Sequence, residues 1–116
     1  MLKHFLSTLI LTLISQIASA QSIPVQMDAH QHVVMFQKGV DAFLVGEYDK
    51  CDDYWLPLAR AGDPMAARNM GLLFHKGLGV RKDVEEAILY YKIAADAGVT
   101  SAQLSLGLIY LKGDGV

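Results

Sequence analysis

The sequence predicts an all-α chain built as a stack of helical hairpins, about two and a half of them. Three observations carry that expectation. Residues 62–80 recur as 98–116 at an offset of 36, with identities at Gly62/Gly98, Ala66/Ala102, Gly71/Gly107, Leu72/Leu108, Lys76/Lys112, Gly77/Gly113, Gly79/Gly115 and Val80/Val116. Eight identities in nineteen positions stand against about one or two from background composition. The same offset links Tyr54/Tyr90, Trp55/Tyr91, Ala59/Ala95 and Ala61/Ala97, so both halves of a hairpin recur. Within one half, Val84, Ala87, Ile88, Tyr91, Ala94 and Ala95 follow helical spacing and form one apolar stripe. Each half also opens and closes on residues that cap helices.

The first twenty residues stand apart from that pattern. Met1 to His4 make a short basic segment, and Phe5 to Ile17 form an apolar run of about 13 residues, short of the ~20 that span a bilayer. Ala18-Ser19-Ala20 is a small-residue cleavage site, leaving Gln21 as the first residue of an exported chain. No Cys follows Ala20, which argues against lipoprotein processing. Residues 1–20 therefore read as a signal peptide, 21–27 as a flexible lead, and 28–116 as the repeat domain, divided into 28–61, 62–97 and 98–116. The expected destination is the periplasm or the medium, with no membrane span left after cleavage.

The helices follow in order. Asp28 can cap a helix running to about Val45, with Val33, Val34, Phe36, Val40, Phe43 and Leu44 apolar and Gly46 as its stop. Glu47 to Ala61 is the next, with Pro57 inside it, removing one hydrogen bond and bending it near Asp53. Asp63-Pro64 opens a helix over 64–76: the carboxylate caps, Pro sits where its missing N–H costs nothing, and Gly77 supplies a left-handed stop. Asp83 and Glu86 have the spacing of a capping box for a helix over about 84–97, ended by Gly98. Thr100 or Ser101 opens the last helix, which ends at Gly113. Gly71 and Gly107 lie inside helices, where Gly costs about 1 kcal/mol against Ala, so a neighbouring backbone is expected to pass close to both. Ala66, Ala94, Ala95, Ala97 and Ala102 fit the same close packing, while Tyr54, Trp55, Phe74, Tyr90, Tyr91 and Tyr110 are expected to fill the remaining core volume.

Composition and motifs exclude much chemistry. Ten Lys plus Arg against twelve Asp plus Glu, a net charge of -2, give no basic stripe for nucleic acid. Cys51 is the single cysteine, so no disulfide supports the domain, and its acidic neighbours Asp49, Asp52 and Asp53 raise rather than lower a thiol pKa. It reads as a small buried hydrophobe. His30 and His32 point to opposite sides of a helix and read as a surface pair, without the further ligands a metal needs. His75 precedes Lys76 at a helix end, where a cation suits the helix dipole. The duplicated Gly77-x-Gly79 and Gly113-x-Gly115 read as hairpin turns, since a phosphate loop needs no second copy. No cofactor, metal or catalytic residue is expected.

The stretch Gly62-Asp63-Pro64-Met65-Ala66-Ala67-Arg68-Asn69-Met70-Gly71-Leu72-Leu73-Phe74, then Gly77-x-Gly79-Val80-x-x-Asp83, Ala87 to Tyr91 and Ala94-Ala95-x-x-Gly98, resembles the Sel1-like repeat, a relative of the tetratricopeptide hairpin. Met70, Ala67 and Phe74 stand where Leu, Gln and Tyr are usual. The resemblance covers about 38–116 and implies a right-handed solenoid used as a scaffold for protein partners in bacterial envelope or signalling assemblies, without a catalytic centre. One exported, cysteine-rich branch is associated with binding or hydrolysing β-lactams. That branch carries a disulfide in each repeat, which this chain, with Cys51 alone, does not.

An interaction module is therefore the expected function, and a binding or hydrolysing protein for cell-wall ligands the alternative. The first helices of stacked hairpins line the concave side, which makes Arg68, Leu72, His75, Leu104, Leu108 and Leu111 the candidate partner-binding residues. Leu104 and Leu111 rank highest, being apolar where a solvated face prefers polar groups. The sequence stops after half a hairpin, which leaves an apolar face to be covered. A longer array of which this is a fragment is the first expectation; a second copy and a different protein are the others.

Overall fold

The computed structural model describes residues 27–114, so the expected signal peptide and residues 21–26 of the lead lie outside the described residues. Five helices follow one another, with no strand among those residues: α1 Ala29–Leu44, α2 Tyr48–Arg60, α3 Pro64–Lys76, α4 Val84–Asp96 and α5 Thr100–Lys112. Short turns fold each helix back along the one before it, so packing is chiefly between neighbours in the chain. The result is the expected all-α hairpin solenoid, with α1, α3 and α5 as the first helices of successive hairpins and α2 and α4 as the second.

Local chemistry sets these boundaries. The Asp28 carboxylate accepts from the Gln31 N–H at 2.8 Å while the Gln31 side chain accepts from the Asp28 N–H at 3.1 Å, a complete capping box. Asp63 accepts from the Ala66 N–H at 2.7 Å, Pro64 occupies the first position, and Gly77 closes α3 at φ 69°. The Asp83 carboxylate caps α4 through the Glu86 N–H at 3.1 Å, but the reciprocal bond expected of Glu86 is not made. The Asp83 N–H donates instead to the Phe74 carbonyl at 2.9 Å, which ties the long turn to the last part of α3 and leaves no orphan donor for Glu86. Helix α5 starts at Thr100 without a side-chain cap and ends at Gly113, φ 73°. Pro57 lies inside α2 on its exposed side.

The core runs along the seam between helices. Cys51, Leu58, Met70, Leu73, Tyr91 and Ile109 are its largest fully buried side chains. Ala59, Ala66, Ala67, Ala87, Ala94 and Ala102 are buried between them and let the helices approach. Trp55, Tyr91 and, in part, Tyr54, Phe74 and Tyr90 fill volume as expected. Tyr110 does not: it is 46% exposed, because no element among the described residues packs on that side of α5. Ala97 is exposed at the end of α4, and Val33 and Leu44 are exposed on α1, whose outer side likewise has no neighbour among the described residues.

Candidate partner-binding surface

The first helices of the three hairpins carry one pattern. Because the turn after α1 is four residues shorter than the turn after α3, α1 aligns with α3 at an offset of 32, and α3 with α5 at 36. Phe36, Gly39, Val40 and Phe43 thus correspond to Arg68, Gly71, Leu72 and His75, and these to Leu104, Gly107, Leu108 and Leu111. The spacing i, i+3, i+4, i+7 places each set on one helix face.

An aromatic ring from the next helix covers Gly39 and Gly71. A Cβ on Gly39 would lie 2.1 Å from Trp55 Nε1, and one on Gly71 would lie 2.6 Å from the Tyr91 ring. The expected close neighbour of Gly71 is therefore a side chain rather than a backbone; the ring needs the flat glycine surface to seat. Trp55 sits between Phe36 and Phe43, at centroid distances of 6.2 and 6.0 Å, and its indole N–H donates to the Phe36 carbonyl at 3.1 Å. His75 meets Tyr91 edge-on at 6.0 Å. Among the described residues nothing lies within 4 Å of the corresponding position at Gly107, so they do not make the expected close approach there.

Two adjoining clefts run across these faces. One, of about 180 Å³, is bounded by Val40, Phe43, Trp55, Arg68, Asn69 and Leu72. The other, of about 230 Å³, is bounded by Leu72, His75, Tyr91, Ser105, Leu108 and Lys112 among others. Leu72 belongs to both, so Arg68, Leu72, His75 and Leu108 fall along one line. Leu104 and Leu111 bound neither cleft and are 64% and 84% exposed. A larger open hollow, about 530 Å³, lies over residues 81–85 and contains none of the six.

The electrostatics are mild. Arg68 Nη1 donates to Asn69 Oδ1 at 3.0 Å, which satisfies a buried amide at the floor of the first cleft. Burial, followed by the charge of Lys76, holds the His75 imidazole below its ordinary range. Both effects work against the helix-end cation expected, and the ring lines the second cleft. Burial pushes the Tyr91 hydroxyl up. His32 departs from the expected surface pair: its Nε2–H donates to Asp63 Oδ2 at 2.6 Å, linking α1 to the cap of α3, while His30 is exposed. Cys51 is buried as expected, its thiol facing the Gly39 and Glu47 carbonyls at 3.5 and 3.7 Å and pushed up by burial and then by Asp52 and Asp49. Asp49 and Asp53 are solvated, and burial raises Asp52. Among the described residues no three His, Cys, Asp or Glu side chains gather to hold a metal, and no helix is long and apolar enough to cross a membrane.

The Sel1 repeat family model matches residues 64–99 and 100–116. Residues 64–116 are Sel1 repeats. Both matched units begin on the first residue of a hairpin's first helix, Pro64 and Thr100. Sel1 repeats form helical-repeat interaction modules, in general scaffolds rather than catalysts. No curated protein and no solved structure matches the chain. Two features of this Sel1-like surface escape a reading at the single offset of 36: the seating of Trp55 on Gly39, and Asn69 as a buried polar floor. A second offset, 32, aligns Gly39 with Gly71 and exposes the first; nothing in the sequence singles out Asn69.

Proposed function

We propose that the protein is an exported scaffold that holds a protein partner along the groove crossing α1, α3 and α5, without catalysis of its own. The alignment of Arg68, Leu72, His75 and Leu108 along two adjoining clefts carries this reading. Apolar walls interrupted by a guanidinium, an amide and an imidazole suit an extended peptide segment, whose side chains fill the clefts while its backbone finds donors and acceptors. Export is supported by the leader ending at Ala18-Ser19-Ala20. A scaffold role is supported by the cysteine, which is buried with a raised pKa and unsuited to act as a nucleophile.

The test places a photoreactive residue at position 72 and recovers cross-linked partners from the envelope fraction of the native cells. One predominant partner is expected, with the chain beginning at Gln21 by mass. Arg68→Glu and Leu108→Glu are expected to cut its capture at least tenfold with helicity unchanged. Cross-linking that ignores both substitutions would reject the groove, and a chain retaining residues 1–20 would reject export.

A further inference from the structure

The cleft between α1 and α3 combines apolar walls with polar groups that can only donate. Val40, Phe43, Trp55 and Leu72 form the walls, and Arg68 and Asn69 are the polar pair. The Trp55 indole N–H is engaged by the Phe36 carbonyl at 3.1 Å. Asn69 Oδ1 is engaged too, accepting from Arg68 Nη1 at 3.0 Å. That bond fixes which way the amide points, because a guanidinium donates and never accepts. Asn69 is 7% exposed, and among the described residues no buried side-chain nitrogen or oxygen lacks a partner. Its NH2 group has no acceptor among those residues, so it is the part of the side chain that reaches the surface of the cleft. Arg68 is half-buried, and no carboxylate of the described residues pairs with it. The pair thus presents N–H donors and one positive charge. Its aligned positions are Phe36 and Gln37 in α1 and Leu104 and Ser105 in α5, so of the three hairpins the middle one alone has a cation here. The second cleft has no single sign of charge, since Asp114 stands there with Lys76 and Lys112.

We propose that this cleft takes the C-terminal residue of a peptide, its α-carboxylate held by Arg68 and the Asn69 amide and its apolar side chain set against the walls. The proposal rests on the reading of the groove as a peptide-binding surface and names the part of the peptide taken there. A carboxylate matches the donors: one negative charge meets one cation, and two oxygens meet two donor groups, with a planar guanidinium suited to that geometry. A backbone carbonyl accepts equally well but leaves the charge of Arg68 unpaired beside apolar walls. Size and adjacency select a chain end over an acidic side chain. The cleft, about 180 Å³, has room for one side chain of leucine size, and donors and walls bound the same space. A terminal residue carries its carboxylate and its apolar side chain on one carbon and fills both parts, whereas an aspartate or glutamate brings the carboxylate without the apolar group. Nearby acids of the chain are committed elsewhere: Asp63 to the Ala66 N–H and His32, and Asp41 to Gln37 Nε2 at 2.9 Å.

The experiment follows the Asn69 side-chain NH2 and Leu72 methyl signals by NMR while acetylated tetrapeptides are titrated into the purified protein. The probes are Gly-Ser-Ala-Leu with a free C-terminus, the same sequence amidated, and amidated Gly-Ser-Asp-Leu. Saturable shifts of both signals are expected with the free acid, and binding weaker by about tenfold or more with either amide. Arg68→Met keeps the packing stem and loses the donors, so it is expected to abolish the preference for the free acid with helicity unchanged. Arg68→Lys keeps the charge without the fork and is expected to retain part of that preference. Equal binding of the acid and its amide to the unsubstituted protein would overturn the proposal and leave the peptide groove standing. Binding of the aspartate peptide as tight as that of the free acid would overturn it in favour of acidic side chains. Absence of shifts with all three probes would overturn it as well; the groove itself falls only if position 72 also cross-links no partner.

Discussion

At the scale of single residues, one glycine position has opposite consequences in successive repeats. Gly71 and Gly107 are the same residue in the same register, yet a Cβ at the first collides with the Tyr91 ring at 2.6 Å and at the second meets nothing. Gly71→Ala gains the helix propensity of alanine, about 1 kcal/mol, but displaces a buried ring in a packed seam. Overpacking of that kind costs about 1–3 kcal/mol, so the substitution is expected to be destabilising on balance in urea unfolding. Gly107→Ala is expected to stabilise by up to about 1 kcal/mol, without an offset. Equal effects of the two substitutions would mean that Tyr91 does not depend on the glycine. The repeat made both positions legible in the sequence, and it also made them look alike. Their difference is tertiary: it depends on which helix comes next and what it carries, and an internal alignment holds no record of that. The same limit explains Tyr110, an aromatic expected in the core because Phe74 is packed.

At the scale of elements, helix boundaries were legible because capping is local. Asp28, Asp63 and Asp83 each accept an N–H three residues on, and Gly77 and Gly113 close their helices with positive φ. What the sequence missed was competition for a donor, as where the Phe74 carbonyl takes the Asp83 N–H ahead of Glu86. Asp63 is the cap with most to lose, since one oxygen serves the Ala66 N–H and the other His32. Asp63→Ala removes both and is expected to cost about 1–2 kcal/mol. Asp63→Asn retains an equally good cap and loses only a partly exposed pair, worth about 0–1 kcal/mol. Urea denaturation of the two variants separates the contributions: a large loss in Asp63→Asn would show that the link between α1 and α3, rather than the cap, holds this junction.

At the scale of the molecule, packing between neighbours in the chain makes stability a sum of local interfaces rather than the property of one central core. Helix α3 is packed by α2 on one side and α4 on the other, whereas α5 is packed by α4 alone among the described residues. Both end helices expose apolar side chains, Val33 and Leu44 on α1 and Leu104, Leu108 and Leu111 on α5, but α1 also presents the polar Lys38 and Asp41 at the positions where α3 buries Met70 and Leu73. Local opening should therefore begin at α5 and reach α3 last. Amide hydrogen exchange is expected to show the strongest protection in α3, intermediate protection in α2 and α4, and the weakest in α5. Gly107→Ala should raise protection in α5 and leave α1 unchanged, because the two helices share no interface through which the gain could pass. Uniform protection across all five helices, rising together in that variant, would show instead that the stack opens as a single cooperative unit, and α5 would then be as firmly held as the helices that have neighbours on both sides.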